Sequence, residues 1–264
     1  MKYRDHIEDS DEEATDNIKF YKNIIPSKPQ GDLIDNIHKK WFGSWSLLEQ
    51  HHGYIQWLFP IREVGMNYSA QPLSKNESAT FRSDKDIQKR LLESYKLMLD
   101  FYGLVLEDES TGELSRNPIT YKERYQHLNY SSHNYLRITR ILKNLGMCGM
   151  EHYKLTFLRH FVLEVFKNKQ LKNIERSLIS FWMPTLRRRE ELKFLDDLVE
   201  STSKGARLIK RDGPDGWGDE RGQNWSTEVY PSPLVFDLEN LPDCLTRSDV
   251  LTHPNDPFKN KRSL

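Results

Sequence analysis

Apolar residues recur at helical spacing through most of the chain before residue 201. The clearest pattern begins at Ser83 and places seven apolar residues on one broad stripe: Ile87, Leu91, Tyr95, Met98 and Tyr102, widened by Leu92 and Leu99. Ser83 is the expected N-cap, because Asp84 and Asp86 follow it at the positive end of the helix dipole. Gly103 stands where a left-handed residue closes a helix. The stripe predicts a central helix that contacts several neighbours.

Shorter amphipathic patterns flank this segment. Helices are predicted over 32–41, after the capping-box spacing Ser74–Glu77, over 119–128, from Ser131 or Ser132 to Gly146, over 151–167, and over 171–200 with a junction at Pro184. In the helix that ends at Gly146, apolar and basic positions fall on opposite faces: Ile138, Ile141, Leu142 and Leu145 against Arg137, Arg140 and Lys143. No stretch before residue 201 alternates with period two for long. The predicted fold class is therefore all-α, a single non-repeating helical domain with disordered N- and C-terminal segments.

Composition divides the chain into three parts. Residues 1–16 are polar and acidic and are predicted to be a disordered leader, and residues 17–203 form the helical domain. Residues 204–264 hold five of the thirteen glycines and six of the twelve prolines, which predicts a flexible tail. Within that tail, 229–241 is expected to dock locally or to form a short strand.

Charge and chemistry exclude several classes of protein. Lysine plus arginine and aspartate plus glutamate number 39 each, so no nucleic-acid partner is expected. No run approaches the ~20 apolar residues of a transmembrane helix, and the N-terminus does not resemble a secretory signal. Cys148 and Cys244 do not make a disulfide framework, which favours a reducing, intracellular compartment. No nucleophile elbow, phosphate loop or dinucleotide fingerprint appears, so neither catalytic residues nor cofactors are assigned.

The densest segment is HHGYIQWLFP, from His51 to Pro60. Adjacent histidines point in different directions on a regular element, and the usual zinc spacings are missing, so no metal site is assigned. Tyr54 and Trp57 are interpreted as core residues, with the wall of a ligand pocket as the alternative. Gln56 is either a clamp between helices or the polar group that fixes a ligand.

A second dense segment begins at Ser132. His133, Asn134, Arg137 and Arg140 form a polar cluster at a helix start. Unpaired amides and nearby arginines suit an anion or a peptide carboxylate. The favoured interpretation is capping with intramolecular ion pairs, and anion binding is the alternative.

Together these segments resemble the conserved region of the opioid growth factor receptor family. The resemblance covers about residues 18 to 183. Its most specific part is Tyr54–Pro60, continued by Gly65, Asn67, Ala70, Pro72 and Leu73. Ordered matches follow at Tyr95, Leu97–Leu99, Phe101–Gly103, Thr111–Gly112, Leu128–Asn129, Ser132–Asn134, Leu136–Lys143 and Leu145–Gly146.

The resemblance implies a non-enzymatic receptor-like protein. Members of the family are described as receptors for the pentapeptide methionine-enkephalin that restrain cell proliferation and are associated with the nucleus and its envelope. The expected partner is therefore this opioid pentapeptide, alongside protein partners. The expected location is nuclear or perinuclear, with the cytoplasm and peripheral membrane association as alternatives. The competing functions are a helical protein-interaction adaptor without opioid affinity and, more distantly, an enzyme that uses His52 and His133.

The family supplies no contact residues, so the expected peptide site comes from chemistry. Tyr54, Gln56 and Trp57 would provide the wall and one hydrogen bond. His133, Asn134 and Arg137 would hold the carboxylate, if the fold brings the two segments together. The best-known members also carry a long repeat-bearing tail and polybasic import signals. Here Arg187–Arg189 is followed by two glutamates, which favours a solvated helical face, with a weak nuclear-import signal as the alternative. This sequence carries neither the tail nor clear polybasic signals, so a short relative or paralogue of the family is expected.

Overall fold

Most of the described chain is helical. The computed structural model describes residues 15–203. These residues form two compact units, one of residues 15–101 and 147–149 and the other of residues 102–146 and 150–203. The predicted tail over 204–264, with its segment 229–241, and all but the last two positions of the predicted leader lie outside the described residues. The single domain over 17–203 stays a prediction.

The described part of the first unit is helical. Its helices are α1 (Asp16–Tyr21), α2 (Ile34–Trp41), α3 (Trp45–Gln50), α4 (Ile55–Leu58), α5 (Lys75–Ser83) and α6 (Lys85–Phe101). The helix predicted over 32–41 is confirmed as α2. The predicted capping box is confirmed at α5, where the Ser74 hydroxyl accepts from the Glu77 amide and the Glu77 side chain accepts from the Ser74 amide.

The central helix of this unit is α6, which contacts α1, α2 and α5. Its apolar residues Ile87, Leu91 and Tyr95 are at most 1% exposed, as the stripe predicts. The predicted N-cap is wrong by one residue. Ser83 ends α5, and Asp84 caps α6 by accepting hydrogen bonds from the amides of Asp86 at 3.0 Å and Ile87 at 3.2 Å. These hydrogen bonds, that from Ile87 above all, lower the pKa of Asp84.

The second unit combines helices with a short hairpin. Its elements are β1 (Leu104–Asp108), β2 (Glu113–Arg116), α7 (Tyr121–Tyr130), α8 (His133–Met147, all but its last residue), α9 (His152–Val162), α10 (Glu175–Ser177) and α11 (Arg189–Thr202). A π-helical turn, Leu163–Lys167, extends α9, and a second one, Leu178–Trp182, follows α10. The 3₁₀ turns Lys172–Ile174 and Met183–Thr185 complete this region, so Pro184 does mark the predicted junction.

The hairpin corrects the all-α prediction, because the described residues are predominantly but not purely helical. β1 and β2 pair antiparallel, with Leu104 opposite Arg116 and Leu106 opposite Leu114. The polar, glycine-containing composition of residues 108–118 predicts a loop, which is wrong for β2. Strands of five and four residues are too short to show a clear alternation. Asp108 and Gly112 close the turn: the Gly112 amide donates to the Asp108 carbonyl at 2.8 Å, and Gly112 has φ +78°.

The core of the second unit includes the inner face of α8. The apolar residues predicted for that face are at most 1% exposed: Ile138, Ile141, Leu142 and Leu145. Beside them, α9 contacts β2 and α11. The predicted apolar face of α8 is confirmed.

Candidate functional site

In the first unit, the predicted aromatic wall is part of the core. Trp57 is fully buried, its ring meets Phe20 edge-on at 5.4 Å, and its indole nitrogen donates to the Lys28 carbonyl at 2.9 Å. Tyr54 is also fully buried, and its hydroxyl donates to the Met98 sulfur at 3.6 Å. The interpretation of Tyr54 and Trp57 as core residues is confirmed, since neither ring is open to a ligand in this structure.

Gln56 acts as a clamp on the following loop. It is 6% exposed, and with its carboxamide oxygen turned toward the loop it accepts from the amides of Asn67 at 2.7 Å and Met66 at 3.0 Å. Gly65 lies so close that a Cβ there would fall 2.1 Å from the Gln56 carboxamide. The Asn67 side chain fixes the same loop by donating to the Lys28 and Gly53 carbonyls, at 2.6 and 3.0 Å. Gln56 is thus a structural clamp, but it holds a loop and does not link two helices, the arrangement expected from the sequence.

This loop carries a surface that the sequence did not indicate. Val64, Met66 and Tyr68 are 73%, 90% and 90% exposed. They alternate with Gly65 and Asn67, which are half-buried. Three large side chains are thus exposed to solvent on a loop whose backbone is hydrogen-bonded to the buried Gln56 side chain.

In the second unit, most of the predicted polar cluster is internal. His133 is exposed, but Asn134 is fully buried and Arg137 is only 6% exposed. An Arg137 guanidinium nitrogen donates to Oδ1 of Asn134 at 3.1 Å. The prediction that Arg137 lies on the polar face of α8 is therefore wrong. The neighbouring Leu136 takes the outward position instead and is 75% exposed.

At the start of α8, backbone hydrogen bonds join residues three positions apart. The amides of Asn134 and Tyr135 donate to the carbonyls of Ser131 and Ser132, each at 3.0 Å. Two of the amides that a helix start offers to an anion are therefore already bonded. This arrangement agrees with the capping interpretation of the cluster.

An open groove lies beside this helix start, within the second unit. Its volume is about 190 Å³, and it is lined by Ser132, Tyr135, Leu136, Thr139, Ser177 and Phe181. Leu136 and Phe181 are 75% and 56% exposed, so its walls are largely apolar and accessible. Trp182 joins the two walls, because its indole nitrogen donates to the Tyr135 carbonyl at 3.1 Å and its ring meets that of Tyr135 edge-on.

The six residues of the predicted peptide site are divided between the units. Tyr54, Gln56 and Trp57 belong to the first unit; His133, Asn134 and Arg137 belong to the second. Tyr54 immediately precedes α4, which contains Gln56 and Trp57, and the other three residues lie in the first turns of α8. Their meeting in one pocket stays a prediction.

A buried charge network in the second unit was missed by the sequence analysis. Arg116 makes two hydrogen bonds to the Glu164 carboxylate, at 2.7 and 2.6 Å, and its guanidinium lies 5.0 Å from the centre of the Tyr121 ring. His160 contacts the Tyr125 hydroxyl at 2.7 Å, and burial lowers the pKa of His160 to about 4. The network joins β2, α7, α9 and the π-helical turn that follows α9, and Glu164, Tyr125 and His160 are buried, so we interpret it as structural.

Lys154 is a second buried charge, 1% exposed. Its amino group donates to Glu151 at 2.7 Å and to the Thr185 carbonyl, and burial lowers the pKa of Lys154. A Cβ at Gly146 would lie 2.6 Å from the Glu151 carboxylate and 2.8 Å from the Lys154 amino group. Gly146 therefore leaves the space in which this pair forms.

The remaining chemistry of residues 15–203 concerns metal binding, the histidine and cysteine side chains and membrane-spanning helices. Within residues 15–203, no group of three or more histidine, cysteine or acidic residues could hold a metal ion. His51 accepts a hydrogen bond from the Gly53 amide at 3.2 Å. Cys148 is fully buried, and Cys244 lies outside the described residues. No helix among residues 15–203 has the length and apolar content to cross a membrane.

Comparison with known proteins gives consistent matches. The family profile of the opioid growth factor receptor (OGFr) conserved region matches residues 10–209. The opioid growth factor receptor of Homo sapiens is 42% identical over 193 residues, which are 73% of this chain and 28% of that protein. The receptor of Rattus norvegicus is 41% identical over 220 residues, 83% of this chain and 37% of that protein.

Opioid growth factor receptor-like proteins match as well. Opioid growth factor receptor-like protein 1 of Xenopus tropicalis is 44% identical over 180 residues, 68% of this chain and 35% of that protein. The chain thus spans well under half the length of these curated relatives. No solved structure gives a significant match. Since the family profile covers three quarters of the chain, from the leader to beyond α11, this protein belongs to the opioid growth factor receptor conserved-region family.

Proposed function

We propose that this protein is a non-enzymatic, opioid growth factor receptor-like protein that binds an opioid pentapeptide of the methionine-enkephalin type. The observation that carries the proposal is the family match over residues 10–209, which includes every described residue. The relatives are named opioid growth factor receptors or opioid growth factor receptor-like proteins. A role in the regulation of cell growth and a nuclear or perinuclear location belong to the same proposal.

Within this proposal, the peptide contacts the start of α8. His133 is exposed there, and the apolar groove begins at the adjacent Ser132. An enkephalin-like peptide has an aromatic-rich body, an amine and a carboxylate. Apolar walls with a few polar groups suit such a ligand.

In the proposal, Arg137 binds the peptide carboxylate. In this structure its guanidinium is buried and bonded to Asn134. Contact with the peptide would require the Arg137 side chain to turn outward. Tyr54, Gln56 and Trp57 would take part through a rearrangement that uncovers α4.

Calorimetry of the full chain with methionine-enkephalin tests the proposal. We expect saturable heat that a second opioid pentapeptide competes away, and no heat from a peptide of the same composition in scrambled order. Equal binding of the scrambled peptide, or no binding of either, would contradict the proposal. The second result would leave the protein as a helical adaptor without opioid affinity.

A further inference from the structure

A short segment of the second unit, residues 167–176, concentrates positive charge on the surface. It runs from the end of the π-helical turn after α9 into α10, and Glu175 is its only acidic residue. Its four basic residues are all exposed: Lys167, Lys169, Lys172 and Arg176. The chain as a whole has no net charge, so this basic segment is a local concentration of charge and not a general property of the protein.

The four cations of the basic segment have no acidic partner within residues 15–203. Neither an ion pair nor a side-chain hydrogen bond neutralises any of them there. Other cations of the same unit are paired. Arg116 lies 2.6 Å from Glu164, and Arg159 lies 3.7 Å from Glu113. Unpaired charges on one segment produce a positive potential that extends about one Debye length into the solvent, roughly 10 Å at 0.1 M salt. This potential would attract an anionic partner.

The basic segment is fixed to the rest of the unit. Leu171 and Ile174 are fully buried, while the basic residues around them are exposed. The Asn129 side chain, near the end of α7, donates to the Gln170 carbonyl at 2.8 Å and accepts from the Asn173 amide at 3.2 Å. The Asn173 side chain donates to the Asn129 carbonyl at 2.9 Å. The cations therefore lie on a folded surface that is joined to α7.

An exposed aromatic residue adjoins this surface. Tyr130 follows Asn129 directly, is the last residue of α7 and is 79% exposed. Tyrosine is enriched at membrane–water interfaces, because its ring suits the apolar side and its hydroxyl the aqueous side. Clusters of about four to eight lysines and arginines are typical of surfaces that bind anionic lipids. Three of the four cations here are lysines, which lack the planar fork with which arginine binds the phosphates and bases of nucleic acids. The composition therefore favours a bilayer.

We propose that the basic segment and Tyr130 form a docking surface for an anionic lipid bilayer. The four cations lie in the negative potential of the acidic headgroups, and the Tyr130 ring enters the interfacial layer. The attachment is peripheral and reversible, because each cation near an anionic membrane raises partitioning only about fivefold. The surface shares no residue with the proposed peptide site, so the inference goes beyond the proposed function.

Cosedimentation of the full chain with lipid vesicles tests the surface. One set of vesicles contains phosphatidylcholine alone, and the other contains phosphatidylserine as well. The test variant combines Lys167→Gln, Lys169→Gln and Lys172→Gln. The matched control removes the same charge from three exposed lysines of the first unit, by Lys75→Gln, Lys85→Gln and Lys89→Gln. Because all six lysines are exposed, both variants should keep the wild-type unfolding midpoint.

The wild type should bind the vesicles that contain phosphatidylserine, dissociate from them as the salt concentration is raised, and not bind phosphatidylcholine alone. The test variant should partition about 100-fold more weakly, which is the product of a roughly fivefold loss at each of three positions. The control variant should bind like the wild type. Tyr130→Ser should weaken binding several-fold and leave its salt dependence unchanged, because no charge is removed.

Three results would overturn the inference. Absence of wild-type binding to the phosphatidylserine vesicles at low ionic strength would exclude the bilayer as the partner. Equal binding by the test variant and the control would show that the basic segment is not the surface involved. A single-stranded oligonucleotide or a polyglutamate peptide might instead bind the wild type, but not the test variant, more tightly than the vesicles do. That result would assign the segment to a nucleic acid or to an acidic protein partner.

Discussion

Gly65→Ala should destabilise the protein by a steric mechanism that can be isolated. The added Cβ would fall 2.1 Å from the carboxamide of Gln56 and 2.4 Å from its Cδ. Gln56 is 6% exposed and accepts hydrogen bonds from two loop amides, so it cannot move aside without losing them. The backbone of Gly65 is outside the left-handed region, and alanine adds no backbone strain. Overpacking of this kind costs about 1–3 kcal/mol.

A double-mutant cycle separates the clash from other effects. Gln56→Ala alone leaves the amides of Met66 and Asn67 without their acceptor, at a cost of about 1–3 kcal/mol. Once Gln56 is shortened, the methyl group of Gly65→Ala has space. The double variant should therefore be no less stable than Gln56→Ala alone. This result corresponds to a coupling free energy of about 1–3 kcal/mol between the two sites.

Urea denaturation of the full chain, followed by far-ultraviolet circular dichroism, measures all four corners of the cycle. Gly53→Ala is the control, because a Cβ there would meet its nearest neighbour, the His51 ring, at 3.1 Å. Its cost should be clearly smaller than that of Gly65→Ala. Free energies that add within about 0.5 kcal/mol would show that Gln56 does not hold the loop in the way described.

Three further predictions concern the core, the pH dependence and the peptide site. Trp57→Ala should lower the free energy of unfolding by about 3–5 kcal/mol in urea denaturation, and a loss under about 1 kcal/mol would contradict its place in the core. Burial lowers the pKa of His38 and of His160 to about 4, below the ordinary value near 6.5. Between these two pH values the unfolded chain therefore binds more protons than the folded chain does. Stability should therefore fall as the pH decreases from about 6.5 toward 4, and His160→Gln should make that fall less steep in a series of thermal unfolding curves. If the unfolding midpoints of the variant fell with pH as steeply as those of the wild type, His160 would not be a cause of the fall. If Arg137 holds the peptide carboxylate, Arg137→Ala should weaken peptide binding by about 1.5–3 kcal/mol in calorimetry. The variant should also lose the preference for the peptide with a free C-terminal carboxylate over the amidated peptide. Equal binding of both peptides by the wild type would refute the assignment.

Local patterns in the sequence were enough to place the main helices. The stripe of α6 and the apolar face of α8 each extend over several turns, so their period is distinct from that of a strand. The capping box at Ser74 depends on residues three positions apart. Gly103 ends α6 with φ +81°, which is a local requirement for glycine.

Local patterns failed where alternatives were close in energy or the elements were short. Ser83 and Asp84 are both good capping residues, and only the end of α5 decides between them. The hairpin has strands of five and four residues, and its leucines find their partners only in the folded unit. Arg137 reads as polar surface, yet its guanidinium is buried and bonded to Asn134.

The sequence by itself determined the helical class, the core role of Trp57 and the family resemblance, because each is carried by neighbouring residues. Only the tertiary structure decided the surface. The groove requires Leu136 and Phe181 to face each other, although they are far apart in the chain and each resembles an ordinary core residue. Likewise, the need for glycine at position 65 comes from the Gln56 side chain that occupies the space beside it. Such contacts depend on how the helices pack, and no local pattern encodes that packing.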